Sequence, residues 1–195
     1  MESRRANLAM TSDRMPPLTD EVMTDAQRLC AREIAEGPRG GVYGPFIPLL
    51  RSPELAAHAQ RMGEYLRYRS AIGALSELAI LVVARAWSQP VEWAIHAPIA
   101  LRVGIAAETI AAIAANATPR ELPDDQQIVY DFCSELCTEK AVSDATYART
   151  VARFGEKGVI DLAGINGYYT LLAMVMNIAR TPAPDAEYST LLPPG

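Results

Sequence analysis

The amino-acid sequence predicts an all-α fold, a bundle of about eight helices joined by short connections. Apolar residues recur at helical spacing along most of the 195 residues. Capping and breaking residues mark where helices start and stop, and no useful stretch alternates as a half-buried strand does. Half of the residues are hydrophobic and 21% are charged. The chain can therefore bury a core, which excludes a disordered or collagen-like protein.

The sequence divides into an arm, one helical domain and a tail. Residues 1–18 are polar and then marked by prolines, which favours an N-terminal arm. Residues 19–180 carry the helical pattern, and their number suits a single domain. Residues 181–195 contain four prolines, which favours a C-terminal tail.

The first helix of the domain is predicted over residues 20–36. Thr19 is its expected N-cap, and the glycines and proline of residues 37–41 end it. Residues 42–48 are rich in Gly, Pro and aromatic side chains, so we expect a loop there.

Stronger signals follow along the chain. Ser52-Pro53-Glu54 starts a helix in which apolar spacing continues to Leu66. A more apolar helix over residues 75–87 is expected to be buried. The break at Ser88-Gln89-Pro90 leads into a helix that ends before Gly104, a suitable C-terminal glycine. The remaining helices are predicted over residues 107–116, 124–140, 144–154 and 156–179.

Charge and cysteine content exclude several classes of protein. The net charge is −5 and no block of Lys and Arg is present, so nucleic acid is not an expected partner. Three cysteines are too few for a disulfide scaffold, and the first ten residues lack the apolar run of a signal peptide. We therefore expect a cytoplasmic protein. Residues 159–179 are long enough to cross a membrane, but they contain Asp161, so a buried helix is expected instead.

A glutamate and a histidine are the main candidates for chemistry. Glu77 stands early in the apolar helix, and His96 lies in the helix after the tight break. Because a helix advances about 1.5 Å per residue, an out-and-back hairpin of this length returns His96 close to Glu77. A carboxylate and an imidazole so placed can share a proton, which makes a workable acid/base pair.

Two more polar residues precede the histidine. Glu92 is four residues and Gln89 seven residues before His96. This spacing places all three on one face of a helix. Such a face would direct them toward one cavity.

Each of these residues also fits an ordinary structural role. Glu77 fits an ion pair with Arg85, and Glu92 fits an acid at a helix N-terminus. His96 alone fits a hydrogen-bonded, semi-buried histidine, and Trp93 fits a core or interface anchor.

Metal binding is the less favoured alternative. The sequence contains two histidines, and His58 is not spaced to join His96. A site formed by Glu77, Glu92 and His96 is chemically conceivable, but a metal-free pocket is expected.

An ordered set of motifs extends over residues 43–177. Its pieces are Tyr43-Gly44-Pro45, Leu50-Arg51-Ser52-Pro53-Glu54-Leu55-Ala56, Gly63, Leu66-Arg67, Glu77-Leu78-Ala79-Ile80, Glu92-Trp93, His96, Phe154-Gly155, Gly158-Val159 and Asp161-Leu162. In this order the set resembles the carboxymuconolactone decarboxylase and AhpD-like superfamily. The resemblance implies an AhpD-like helical bundle that forms a homo-oligomer, a trimer or a hexamer, with pockets for small molecules near subunit contacts. The predicted helix over residues 159–179, apolar nearly all round, also favours an oligomer.

One branch of that family uses cysteine chemistry. AhpD-like members carry a Cys-x-x-Cys pair, with a glutamate upstream and a histidine four residues after the second cysteine. By that spacing the cysteine positions here are Gln89 and Glu92, whereas the glutamate and histidine positions are Glu77 and His96. Peroxidase or disulfide reductase chemistry needs a nucleophilic thiolate, so it is the disfavoured alternative.

The other branch decarboxylates a small lactone acid and uses neither a metal nor an organic cofactor. The resemblance therefore implies acid/base chemistry on a small lactone or carbonyl acid: decarboxylation or a related lyase, isomerase or hydrolase step. Glu77 and His96 are expected to carry the protons, and Glu92 to assist. The residues expected to bind the substrate are Tyr43, Gln89 and Trp93.

The chain departs from the true decarboxylases in one respect. It lacks the arginine-rich segment that follows their opening motif, so the exact substrate does not carry over. A non-catalytic oligomeric binding protein that inherited the fold is the remaining alternative.

Overall fold

The computed structural model describes residues 13–184, and all regular secondary structure in that range is helical. The predicted all-α class is therefore confirmed. The helices of the described range are α1 (Asp25–Glu36), α2 (Phe46–Leu49), α3 (Pro53–Tyr68), α4 (Ser76–Ala86), α5 (Pro90–Arg102), α6 (Ala107–Ala114), α7 (Asp124–Glu139) and α8 (Asp144–Ala179). Most of the predicted arm and tail, and the segment assessed as a signal peptide, lie outside the described residues.

The first helix starts later than predicted, because Thr24 and not Thr19 is its N-cap. The Gln27 N–H donates to Thr24 Oγ1 at 3.3 Å, and the Thr24 N–H donates to the Gln27 side-chain oxygen at 2.9 Å. This reciprocal capping box satisfies two backbone N–H groups at the helix start. Asp25 is therefore the first helical residue.

The segment expected to be a loop runs into the short helix α2. Pro45 precedes the helix and Pro48 lies in its only turn. Prolines are tolerated there because the first N–H groups of a helix have no helical acceptor. The turn buries Phe46 and Leu49 in the core, and this burial favours a helical turn over an open loop.

Gly155 divides α8 into two segments. Its φ of 70° and ψ of 174° are not helical, and residues other than glycine rarely adopt these backbone angles. The predicted helices over residues 144–154 and 156–179 meet at this residue. The boundary inferred from the sequence is therefore confirmed.

α4 forms the centre of the bundle. Residues 76–84 are all buried, and the helix packs against α5, α7 and α8. The connection between α4 and α5 is so short that the two helices form an antiparallel hairpin. The start of α4 thus lies beside the middle of α5, where the candidate residues meet.

Asp161 fastens α8 to the end of α3. Its carboxylate accepts hydrogen bonds from Tyr65 Oη at 2.9 Å, from the Ala71 N–H at 2.7 Å and from Lys157 Nζ at 2.6 Å. Burial alone would raise the pKa of Asp161, but these hydrogen bonds outweigh it and the pKa is lowered. The network holds α3 and α8, two of the helices that line the candidate site.

α8 is the helix of the described range that is long and apolar enough to cross a membrane. Half of its most apolar 18-residue window is buried in the bundle. The core helix of a helical bundle shows such burial.

Candidate functional site

A small cavity lies among α3, α5, α8 and the segment before α2. Its volume is about 130 Å³. Its polar lining consists of Arg39, Tyr43, Arg67, Glu92, His96 and Tyr168. Its apolar walls come from Pro45, Ile95, Ile99, Tyr169 and Leu172. Grooves of about 550, 660 and 760 Å³ open elsewhere on the described surface, but none of them is lined by a histidine.

The structure brings Glu77 and His96 together. Glu77 Oε2 and His96 Nδ1 are 2.7 Å apart, and the two residues are 6% and 5% exposed. The hairpin of α4 and α5 produces this contact, as its length and its tight turn predicted. The alternative pairing of Glu77 with Arg85 does not occur.

The contact fixes which ring nitrogen is available to a ligand. An ionised Glu77 can only accept a hydrogen bond, so with that charge state Nδ1 carries the proton and Nε2 is the ring nitrogen left for the cavity that His96 lines. The Tyr169 ring meets the imidazole edge-on at 5.2 Å between centroids. The imidazole is thus held in one orientation from two sides.

Glu92 is a buried acid without a partner. It is 1% exposed, and neither carboxyl oxygen has a hydrogen-bond partner among the described residues. It lies one helical turn before His96 and lines the same cavity. Burial raises the pKa of Glu92 well above its ordinary value, which favours the protonated carboxyl, the form that can donate a hydrogen bond.

Replacing Glu92 with leucine should raise the free energy of unfolding at neutral pH by about 1–3 kcal/mol. Burial raises the pKa of Glu92 above the 4.5 of an exposed carboxyl, so the folded protein binds this proton more tightly than the unfolded chain does. The stability contribution of Glu92 is therefore complete below that pKa and is lost as pH rises toward the raised pKa of the folded state. Urea unfolding across this pH range should show the advantage of Glu92→Leu growing with pH.

Glu54 provides the matched control for that experiment. It is an exposed acid in the first turn of α3, so Glu54→Leu should show no such growth with pH. A Glu92→Leu advantage that stayed constant or shrank with rising pH would contradict a raised pKa of Glu92 in the folded protein.

Two arginines and a buried tyrosine also line the cavity, although none of the three was a candidate site residue. Arg67 comes from the last turn of α3. Burial acts to lower its pKa, but surrounding phenol and carboxyl groups outweigh burial and the pKa is raised. Arg39 donates from Nε to Gln60 Oε1 at 3.0 Å and lies over the Phe46 ring at 4.1 Å. Both side chains therefore bring positive charge to the cavity.

Tyr168 comes from α8 and is 1% exposed. Burial raises the pKa of Tyr168 to about 12, so its hydroxyl remains a hydrogen-bond donor. The hydroxyl has no hydrogen-bond partner within 3.5 Å among the described residues, although a longer hydrogen bond with the Arg39 side chain acts to lower its pKa. Because Tyr168 lines the cavity, its hydroxyl is a candidate donor there.

The residues expected to bind substrate are separated by the fold. Tyr43 lines the cavity, is 46% exposed and donates from its hydroxyl to the Arg39 carbonyl at 2.6 Å. Gln89 does not line it: the side chain caps α5 by accepting from the Val91 N–H at 2.8 Å and donates to Asn177 Oδ1 at 2.8 Å.

Trp93 does not line the cavity either, and it is fully buried in the core. A role for Gln89 and Trp93 in substrate binding stays a prediction that their positions do not support.

The cysteines lie away from the cavity. Burial raises the pKa of Cys133 to about 12 and also raises the pKa of Cys137. Asn166 donates to Cys133 Sγ at 3.2 Å and accepts from Cys137 Sγ at 3.6 Å. Burial therefore disfavours the thiolate at both positions of α7.

Among residues 13–184, no group of three His, Cys, Asp or Glu side chains is arranged to hold a metal ion. The arrangement is one of proton donors, cations and an imidazole–carboxylate pair around a small cavity. No model of a known protein family matches this chain, and no curated protein matches it in sequence.

Proposed function

We propose that this protein is carboxymuconolactone decarboxylase-like and catalyses a cofactor-independent acid/base step on a small lactone or carbonyl acid. One observation carries the proposal: an imidazole held by a buried carboxylate at 2.7 Å lines a small cavity beside a second buried glutamate, whose pKa burial raises. The pair His96–Glu77 can move a proton, and Glu92 can donate a hydrogen bond to developing charge.

Decarboxylation is the simplest step of this kind. The bond from the substrate's carboxyl group to the next carbon breaks, CO₂ leaves, and the electron pair passes into a neighbouring carbonyl group as an enolate. Glu92 donates a hydrogen bond to the enolate oxygen. A proton from the His96 imidazolium, whose charge Glu77 stabilises, then adds to the carbon and the carbonyl group forms again. The imidazole recovers its proton from solvent.

An isomerase step would use the same groups. His96 would remove a proton beside the carbonyl group, Glu92 would stabilise the enolate, and His96 would return the proton to another carbon. The common feature of both reactions is an enolate, which is why the substrate needs a carbonyl or lactone group.

AhpD-like redox chemistry is less well supported. Gln89 and Glu92 stand where that chemistry needs thiols, and burial opposes ionisation of Cys133 and Cys137. A purely structural protein is also less well supported, because a cavity of about 130 Å³ with a polar lining remains open beside His96.

The proposal includes a homo-oligomer, a trimer or a hexamer. Three large apolar residues of α8, Ile160, Met174 and Ile178, are 70%, 38% and 60% exposed in the single chain. Their spacing of 14 and 4 residues places them on one side of the helix. A row of exposed apolar side chains of this length supports contact with a second copy.

A substrate screen in D₂O tests the proposed chemistry. The purified protein is incubated with small lactone acids and 2- and 3-oxo acids, and NMR follows CO₂ loss and deuterium at carbon. We expect deuterium at the carbon that loses CO₂, or next to the carbonyl group, without added metal, thiol or peroxide. Two outcomes would refute the proposal. In the first, the wild type incorporates no deuterium into any acid; in the second, the His96→Gln variant incorporates as much deuterium as the wild type into every acid.

A further inference from the structure

Three residues that line the cavity carry a buried polar group with no hydrogen-bond partner within 3.5 Å among the described residues. These groups are Nε of Arg67, the carboxyl oxygens of Glu92 and the hydroxyl of Tyr168. Glu92 and Tyr168 are each 1% exposed. Because folded proteins rarely leave buried polar groups without partners, three such groups on residues that line one cavity point to a ligand that bonds to them.

The charges around the cavity favour an anion. No carboxylate of the described residues pairs with Arg67 within 4.0 Å. Glu77, whose charge reaches Arg67, is already bonded to His96. Glu92 forms no ion pair with Arg67 either, and burial raises its pKa, which disfavours the charged carboxylate. Arg67 therefore has no ion-pair partner within 4.0 Å among the described residues.

The size and walls of the cavity favour a carboxylate with a short apolar chain. Its volume of about 130 Å³ corresponds to roughly four water molecules. Ile95, Ile99 and Leu172 supply apolar surface, which an alkyl chain covers and inorganic phosphate does not. A guanidinium also matches the planar carboxylate with two parallel hydrogen bonds.

We propose that Arg67 and Tyr168 bind a carboxylate group of the ligand, one that the reaction retains. The guanidinium of Arg67 supplies the charge, the hydroxyl of Tyr168 donates a hydrogen bond, and the Glu92 carboxyl faces the ligand's carbonyl oxygen. The inference rests on the proposed function in one respect, since it describes that reaction's substrate. It narrows the substrate class to small acids that carry a carboxylate as well as the reacting carbonyl or lactone group.

Binding of propionate, propionamide and inorganic phosphate tests this assignment without turnover. Ligand-observed NMR should show saturable binding of propionate in about the millimolar range. Propionamide has the same shape without the charge, and phosphate has the charge without the alkyl chain, so both should bind at least about tenfold more weakly. Equal binding of propionate and propionamide, or no saturable binding of propionate, would overturn the carboxylate site.

Variants of Arg67 assign the contact. Arg67→Gln should weaken propionate binding by at least about tenfold, and Arg67→Lys by less, since lysine keeps the charge and loses the paired geometry. Arg61→Gln is the matched control, because Arg61 lies on the same helix and is exposed. Thermal unfolding identifies a variant that fails to fold, and Tyr168→Phe then provides a second test, with binding expected to fall several-fold.

The outcomes separate this inference from the proposed function. Propionate binding that depends on Arg67, without turnover of any acid, would support the carboxylate site and refute the enzyme. Turnover that depends on His96, with KM and propionate binding unchanged by Arg67→Gln, would support the enzyme and overturn the carboxylate site.

Discussion

Replacing His96 with glutamine should lower kcat of the proposed reaction by about a thousandfold and leave the fold intact. Positioned acid/base groups contribute about 10²–10⁴ to rates, and glutamine has no group that titrates. Its amide is similar in length and can still donate to Glu77, so the buried carboxylate keeps a partner. Steady-state kinetics on a substrate found by the screen would measure the loss, and circular dichroism would verify the fold.

Glu77→Gln should lower kcat by about a hundredfold. The amide oxygen still accepts the Nδ1–H, but it carries no charge to stabilise the imidazolium. Because the two residues act as a unit, the double variant should be no slower than His96→Gln alone. His58→Gln is the control, since His58 is exposed on α3. Losses that multiply in the double variant would show that Glu77 and His96 act separately.

The contact between Glu77 and His96 could be predicted because its signals are local. An apolar helix, a three-residue break and a second helix fix an antiparallel hairpin, and helix geometry fixes which residues lie side by side. The same logic placed Glu92 beside His96, one helical turn away on α5. The hairpin needs no information from the rest of the chain.

Gln89 shows where spacing along the sequence is not enough. Helical periodicity applies only inside a helix, and Gln89 is the N-cap of α5, with φ of −94° and ψ of 102°. Its side chain turns back to the helix start. Trp93 follows Glu92 by one residue, which is about 100° around the helix, and it faces the core. A pattern of residue types did not distinguish the two faces.

The arginines and Tyr168 could not be predicted, because they come from three distant segments. Arg39 follows α1, Arg67 lies in the last turn of α3 and Tyr168 belongs to α8. Which of their side chains meet depends on how the helices pack, and short-range patterns do not encode that. One local signal does point to the packing: Gly63 lies inside α3, where glycine costs about 1 kcal/mol relative to alanine. A glycine retained at that cost indicates a close approach by another part of the chain.

Gly63→Ala should lower the free energy of unfolding by about 1–2 kcal/mol. A Cβ at this position would stand 2.2 Å from the Tyr168 hydroxyl oxygen and 2.6 Å from the adjacent ring carbon. Both residues are buried, so the ring has little room to move, and overpacking costs about 1–3 kcal/mol or more. The better helix propensity of alanine offsets about 1 kcal/mol of this. Urea unfolding measures the net effect.

Gly167→Ala is the matched control. Gly167 is a helical, exposed glycine of α8, and a Cβ there would meet nothing within 4 Å. Only the helix propensity remains, so this variant should be neutral or stabilised by up to about 1 kcal/mol. A similar result for Gly63→Ala would show that the helices separate without cost and that Gly63 is not needed for the approach of Tyr168.

Replacing Tyr168 with leucine should remove the loss of stability that Gly63→Ala causes. In a Tyr168→Leu background the atoms that meet the new Cβ are absent, so Gly63→Ala should cost about 2 kcal/mol less than in the wild type. The double variant should therefore be as stable as Tyr168→Leu alone, or more stable. The double variant should bind propionate more weakly than the wild type, because leucine lacks the Tyr168 hydroxyl. The gain in stability does not replace this hydrogen-bond donor. These results would explain the glycine at position 63 by the site. Gly63 leaves room for the buried phenol of Tyr168, a side chain that core packing alone does not require.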